Sequence, residues 1–175
     1  MDFTGPEPKL THIANMRVNL EPSISAGQTP AGIKQWFEIS SGFITSPSPT
    51  ASPQLSLKIQ SGGGDYAGVH PEAGFLTLDV SMVAISDDNE FFKFSNTGYV
   101  KFDETTTGII TGDKEAKSTQ FGGSEVVETV KVNTSSVTWG WLNFATLVGQ
   151  GRLVVEDGVL VAIEMRLFQV EMKVV

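Results

Sequence analysis

The chain has 175 residues, a formal charge of −8 at pH 7 and no cysteine. That suits one domain with a real core and excludes disulfide scaffolds, thiolate nucleophiles and cysteine-based zinc sites. With 20 Asp and Glu against 12 Lys and Arg, nothing supplies the basic patch that nucleic acid or an anionic membrane requires. No basic leader opens the chain, and no apolar run nears the roughly 18 residues of a membrane span. The expected protein is soluble and cytoplasmic, a single β-barrel domain over 1–175 with residues 1–9 as a flexible arm.

Scattered glycines and prolines separate short runs of Val, Ile, Thr and Phe, the punctuation of an all-β chain. Met16, Val18 and Leu20 alternate with Arg17 and Asn19, the period of a strand. Phe37 and Ile39 lead to Gly42-Phe43-Ile44, the Pro and Ser stretch 46–54 is a loop, and Leu55, Leu57 and Ile59 alternate again. GGGDYAGVHPE, 62–72, reads as a wide turn or mouth loop. Strands are predicted at 75–86, 90–94, 98–103, 125–132, 152–156 and 159–174. Asp87-Asp88-Asn89, Asn96-Thr97-Gly98 and Glu156-Asp157-Gly158 read as tight turns, because Asp, Asn and Gly tolerate a left-handed backbone. At most one short helix, or a turn, is expected within 134–148, capped by Ser135 or Ser136 and lying over a barrel end. So many strands must close or stack to hide their edges, and a closed antiparallel β-barrel of lipocalin size with a central pocket is the expected fold.

Gly62-Gly63-Gly64 lacks the Lys and Ser or Thr of a phosphate loop, and no helix opens after it. His12 and His70 are the only histidines. Asp65, His70 and Glu72 match no metal-binding spacing, so no metal is assigned. His70 with Asp65, Glu72 or Asp79 could do acid and base work, since imidazole titrates near neutrality and a carboxylate orients it. Arg17 sits on the polar side of the first strand, Arg152 follows Gly149-Gln150-Gly151, read as a turn, and Arg166 shares a strand face with Glu164. A guanidinium fixed in a pocket would stabilise charge developing on oxygen; for Arg166 the alternative is a surface ion pair with Glu164. Trp36, Phe37, Tyr66, Trp139, Trp141 and Phe144 are the candidate lining for a flat apolar ligand.

Residues 62–103 and 138–170 carry, in order, a GxxDY turn, an LD strand, a DD hairpin, a Gly-Tyr-Val strand, and WLN followed by VGQGR. Together with GQTPAGIKQWFEISSGFITSP upstream, these resemble the domain of unknown function 3237, a family of small β-barrel proteins. The HPE element resembles its fungal branch; Ser81, Lys34 and Tyr66 depart from the Arg, Arg and Trp common in members. Some fungal proteins of this type act as cofactor-free hetero-Diels-Alderases, dehydrating a precursor to a quinone methide and joining it to an alkene. For this chain the resemblance implies a cofactor-free cyclase of secondary metabolism with an apolar or aromatic substrate. Trp36, Tyr66 and Trp141 would stack on the diene, Arg17 or Arg166 would assist dehydration, and His70 and Asp79 would move protons. Two alternatives stand beside it: a non-catalytic small-molecule-binding barrel, and an isomerase or dehydratase using His70 with a carboxylate. A homodimer is expected, as such barrels often cover a strand edge with a second copy.

Overall fold

The computed structural model describes residues 5–172. Ten strands follow in order: β1 Lys9–Leu20, β2 Ile24–Thr29, β3 Gly32–Thr45, β4 Ser56–Ile59, β5 Gly63–His70, β6 Phe75–Ser86, β7 Phe91–Lys101, β8 Val126–Thr134, β9 Leu147–Glu156 and β10 Val159–Glu171. All the pairings are antiparallel, and they run β1-β10-β9-β8-β7-β6 and then through β4 and β5 to β3. Because β3 also pairs with β1, Ile44 opposite Met16, the ladders return to their start and the strands form a ring. Only β2 stands outside this ring, as a hairpin arm of β3.

Alternation decides which side chains fill the ring. On β1, Ala14, Met16 and Val18 are buried while Asn15, Arg17 and Asn19 are partly exposed; on β8, Val126, Val130 and Val132 are buried while Val127, Thr129 and Lys131 are exposed. The inward rows build two apolar clusters. One gathers Met16, Ile44, Ile59, Phe92, Val132 and Leu167. The other gathers Phe37, Ala67, Leu76, Val100, Val126 and Leu153. Each large side chain so buried contributes about 1.5–3 kcal/mol.

A short element closes each cluster. At the second, α1, Glu104–Thr111, sets Ile109 into the core. Asp103 caps it by accepting from the Thr106 N–H, Thr106 Oγ1 accepts the Asp103 N–H in return, and Gly112 at φ +77° ends it. At the first, a 3₁₀ turn, Gly140–Phe144, inserts Leu142.

The short helix or turn expected within 134–148 is that 3₁₀ turn, with the Asn143 side chain bonded to the backbone of Thr134 and Gly140. Several other sequence expectations change. Stretch 62–72 is mostly strand: Gly62, at φ 93°, ends a turn with Ser61 and another turn begins at Pro71, but between them Gly63–His70 is β5, with Gly64 to Val69 paired to Glu38 to Ile33 of β3. Asn96-Thr97-Gly98 is not a turn, since β7 runs through it paired on both sides. Gly149-Gln150-Gly151 likewise lies within β9. The hairpins at 87–89 and 156–158 do turn there, with Asn89 at φ 62° and Asp157 at φ 50°. Residues 1–4 of the expected arm and the end of the 159–174 strand, from 173, lie outside the described residues. Among the described residues no helix is long and apolar enough to cross a membrane.

Candidate active site

Between the two clusters lies a cavity of about 50 Å³. At roughly 10–15 Å³ for each water, it admits several heavy atoms. Its walls are apolar, with Met16, Phe37, Leu76, Met82, Val126 and Met165 among them, except for Asp65, Asn96 and Glu128. Those three are buried, with exposures of 8%, 2% and 4%. Each occupies an inward position of its strand: Asp65 beside Ala67 on β5, Asn96 between Phe94 and Val100 on β7, and Glu128 between Val126 and Val130 on β8.

Room for Glu128 comes from its neighbours across the sheet. Gly98 of β7 and Gly149 of β9 stand opposite it on either side. A Cβ on Gly98 would fall 2.1 Å from the Val127 carbonyl oxygen and 3.0 Å from Glu128 Cγ, and one on Gly149 would fall 2.2 Å from Met165 Cε. Glycine at both positions lets the carboxyl chain lie between them.

Asn96 Nδ2 donates to Glu128 Oε2 at 2.8 Å. Burial pushes the Glu128 carboxyl up to about 7; the Asn96 bond opposes this and the charge on Asp65 adds to it. Asp65 is also pushed up by burial, to about 6, held lower by the Asp79 N–H that donates to its Oδ1 at 2.8 Å and by the charge of Lys34. That bond lies where pairing between β5 and β6 lapses, between Asp65–Val80 and Gly68–Thr77. Asp65 thus ionises first and Glu128 holds its proton to higher pH. Burial lifts both carboxyls toward neutrality, so near neutral pH one of the pair can hold a proton while the other is ionised, as a base and an acid require.

The residues singled out in the sequence are dispersed. Phe37 lines the cavity. Arg17 is on the outer face, its Nη1 2.7 Å from Glu164 Oε1, while Arg152 Nη2 is 2.6 Å from Glu164 Oε2. Burial pushes Glu164 up, but the bonds from Arg152 and Arg17 outweigh it and hold this carboxyl below its usual range. Among the described residues Arg166 makes no ion pair with Glu164; its guanidinium lies 4.2 Å from the Phe121 ring centroid. Trp36 and Tyr66 face each other across β3 and β5 on the outer side, with the Trp36 indole over Gly64 and Tyr66 exposed. His70 ends β5 beside Thr77, Nε2 to Oγ1 3.2 Å, and borders an open outer groove with Phe75 and Tyr99. Asp79 is exposed and reaches the cavity only through its backbone bond to Asp65. Trp139 and Trp141 meet at 6.5 Å beside the 3₁₀ turn, where Phe144 is almost wholly exposed. Among the described residues no three His, Cys, Asp or Glu converge as metal ligands: Asp65 faces inward, His70 and Glu72 do not.

Access lies at the α1 end. Phe37, Ile110 and Leu160 line both the cavity and a surface depression bordered by Pro22, Gln35, Thr111 and Asp157. On the other side, Glu128 lines both the cavity and the outer groove that His70, Phe75 and Tyr99 border.

An all-β ring closed around a buried carboxyl pair is the class of protein that this fold and cavity define. The family model described as "Protein of unknown function (DUF3237)" matches residues 8–170, and the chain belongs to that family. A relative from Penicillium roqueforti, "PR-toxin biosynthesis cluster protein 7", is 30% identical over 174 residues, covering 94% of this chain and 93% of its own. Among solved structures, a beta-barrel like protein from Acinetobacter baumannii superposes with a TM-score of 0.72 at 20% identity, covering 97% of this chain and 100% of its own. An enzyme from Penicillium herquei superposes with a TM-score of 0.62 at 17% identity, covering 98% and 100%. At these identities the two structures show the fold.

Proposed function

We propose that the protein is an acid–base catalyst of secondary metabolism, a cofactor-free isomerase or cyclase that binds an apolar small molecule inside the ring, read as a closed barrel. The observation that carries this is the buried pair Asp65 and Glu128, tuned to about 6 and about 7 in an otherwise apolar cavity. Near neutral pH, Asp65 is mainly a carboxylate and Glu128 keeps much of its proton. Glu128 delivers a proton to the substrate and Asp65 removes one from another position, so the substrate is rearranged with no net gain or loss. The apolar walls exclude water from a cationic or enolic intermediate. General acid–base contributions of this kind are typically about 10²–10⁴ in rate. The relative in a toxin biosynthesis cluster and the fungal enzyme of the same fold support the placement in secondary metabolism.

The dehydration that opens a hetero-Diels–Alder sequence fits the same pair. Glu128 protonates a leaving hydroxyl, water departs, and Asp65 takes the second proton from the precursor. The guanidinium of Arg17, engaged by Glu164 on the outer face, is then not needed.

To test this, small-molecule extracts of the source organism with and without the gene are compared by chiral chromatography and mass spectrometry. The compound that accumulates is then incubated with purified protein. Conversion by the wild type and loss of conversion in Glu128→Gln are expected. Equal turnover by wild type, Glu128→Gln and Asp65→Asn would refute the carboxyl mechanism. Tight binding without conversion would instead establish the non-catalytic binding barrel.

A further inference from the structure

Asn96 has one half of its amide engaged and the other half free. Its Nδ2 donates to Glu128 Oε2, which fixes the amide with the Glu128 proton on Oε1, because turning the amide over would set its oxygen against the unprotonated Oε2. Oδ1 is then left buried with no hydrogen-bond partner, although the residue is only 2% exposed and lines the cavity. A buried carbonyl oxygen without a donor is costly, so such a group facing a cavity calls for a donor there, a water in the resting protein or a ligand that displaces it. Among the described residues none supplies it: Asp65 is engaged with the Asp79 N–H, Glu128 takes the Asn96 Nδ2 bond, and the remaining walls are hydrocarbon.

We propose that Asn96 is the specificity residue of this cavity, and that it selects an apolar substrate bearing a hydroxyl, an alcohol, phenol or enol, whose O–H donates to Asn96 Oδ1. The proposal rests on the reading of the cavity as the substrate site. It adds to that reading where the ligand's polar end lies: on the amide whose other end holds Glu128, so that the hydroxyl-bearing carbon stands next to the acid. Asn96 is a positioning residue in this arrangement, and the proton transfer stays with the carboxyls.

Phenol and toluene are probes of nearly equal shape that differ in one O–H against one CH₃. Their binding to the wild type and to Asn96→Leu is followed by NMR titration, together with the Asn96 side-chain amide resonance of the wild type. Expected is about a 10- to 100-fold preference for phenol in the wild type, a shift of the Asn96 amide resonance with phenol and not with toluene, and no preference in Asn96→Leu. Equal binding of both probes to the wild type would overturn the assignment of Asn96 while leaving the cavity a ligand site. A phenol preference that survives in Asn96→Leu would overturn it too, placing the hydroxyl on a carboxyl. Binding of neither probe would overturn this proposal together with the reading of the cavity on which it rests. Should Asn96→Leu fail to fold, the wild-type preference and the amide resonance decide alone.

Discussion

Replacing Glu128 with Gln keeps the shape of the side chain and a carbonyl acceptor for Asn96 Nδ2, but removes the ionisable proton. In the folded protein this carboxyl is raised from 4.5 to about 7, so the native state holds its proton more tightly than the unfolded chain does. The stability this contributes is full below about pH 4.5 and is lost as pH rises through about 7. At about 1.4 kcal/mol per pH unit, the interval amounts to about 3 kcal/mol. For a chain of this size, that equals roughly 6–12 °C in Tm. Gln has no such dependence, so the stability of the variant relative to wild type should climb by about 3 kcal/mol between pH 4 and pH 8. Urea unfolding across that range, with the slope m unchanged, measures it. Parallel pH curves for the two proteins would refute the assignment of a strained, buried proton to Glu128. The same substitution that stabilises at pH 8 should lower turnover, the expected signature of a group kept for chemistry at a cost in stability.

In a substrate assay, kcat/KM should rise as Asp65 ionises through about 6 and fall as Glu128 loses its proton through about 7, and a profile flat from pH 5 to 8 would exclude this pair. Gly98→Ala drives a Cβ into the Val127 carbonyl oxygen, whereas Gly149→Ala meets only the end of Met165. The first should cost about 1–3 kcal/mol or more and the second clearly less, in urea denaturation. Gly64→Ala places a Cβ 2.1 Å from Trp36 Cη2, so it should displace the indole and alter the near-ultraviolet circular dichroism while leaving the cavity carboxyls in place. Glu164→Gln leaves Arg17 and Arg152 without their shared carboxylate. The loss should be about 1–3 kcal/mol at neutral pH and should vanish in acid, as Glu164 in the wild type protonates below its usual range.

The ring of strands was legible because alternation is written plainly in β1, β4, β6 and β10, and because Asp-Asp-Asn and Glu-Asp-Gly mark real hairpins. What misled were residues whose usual meaning is local while their use here is tertiary. Asn96 and Gly98 resemble a turn in any short window, yet one bonds the acid and the other makes room for it. Gly62 does turn, but Gly63, Gly64, Gly149 and Gly151, which resemble loops, lie beside Met82, Trp36, Met165 and Val126 in paired strands. The helix α1 was hidden by Thr105, Thr106 and Thr107, poor helix formers, and is held by its caps and by Ile109 in the core. Which side of a strand faces inward was not legible from Arg17 alone; the burial of Met16 and Val18 settles it.

A signal for the carboxyl pair was nonetheless present. In EVVETVKV the row Val126, Glu128, Val130, Val132 is the apolar register of a strand, with one glutamate in it. In FFKFSNTGYV the row Phe92, Phe94, Asn96, Gly98, Val100 carries an amide at the same kind of position. A charged or amide group in an inward row costs stability unless it is partnered, and here the two interruptions partner each other across β7 and β8. Asp65 interrupts the inward row of β5 and uses a backbone N–H from β6. Each was invisible singly, since a lone polar residue in a strand fits either face. Set beside glycines on the adjoining strands, which leave space where a side chain would be expected, they form a site: polar groups aimed at a volume that the sequence leaves unfilled.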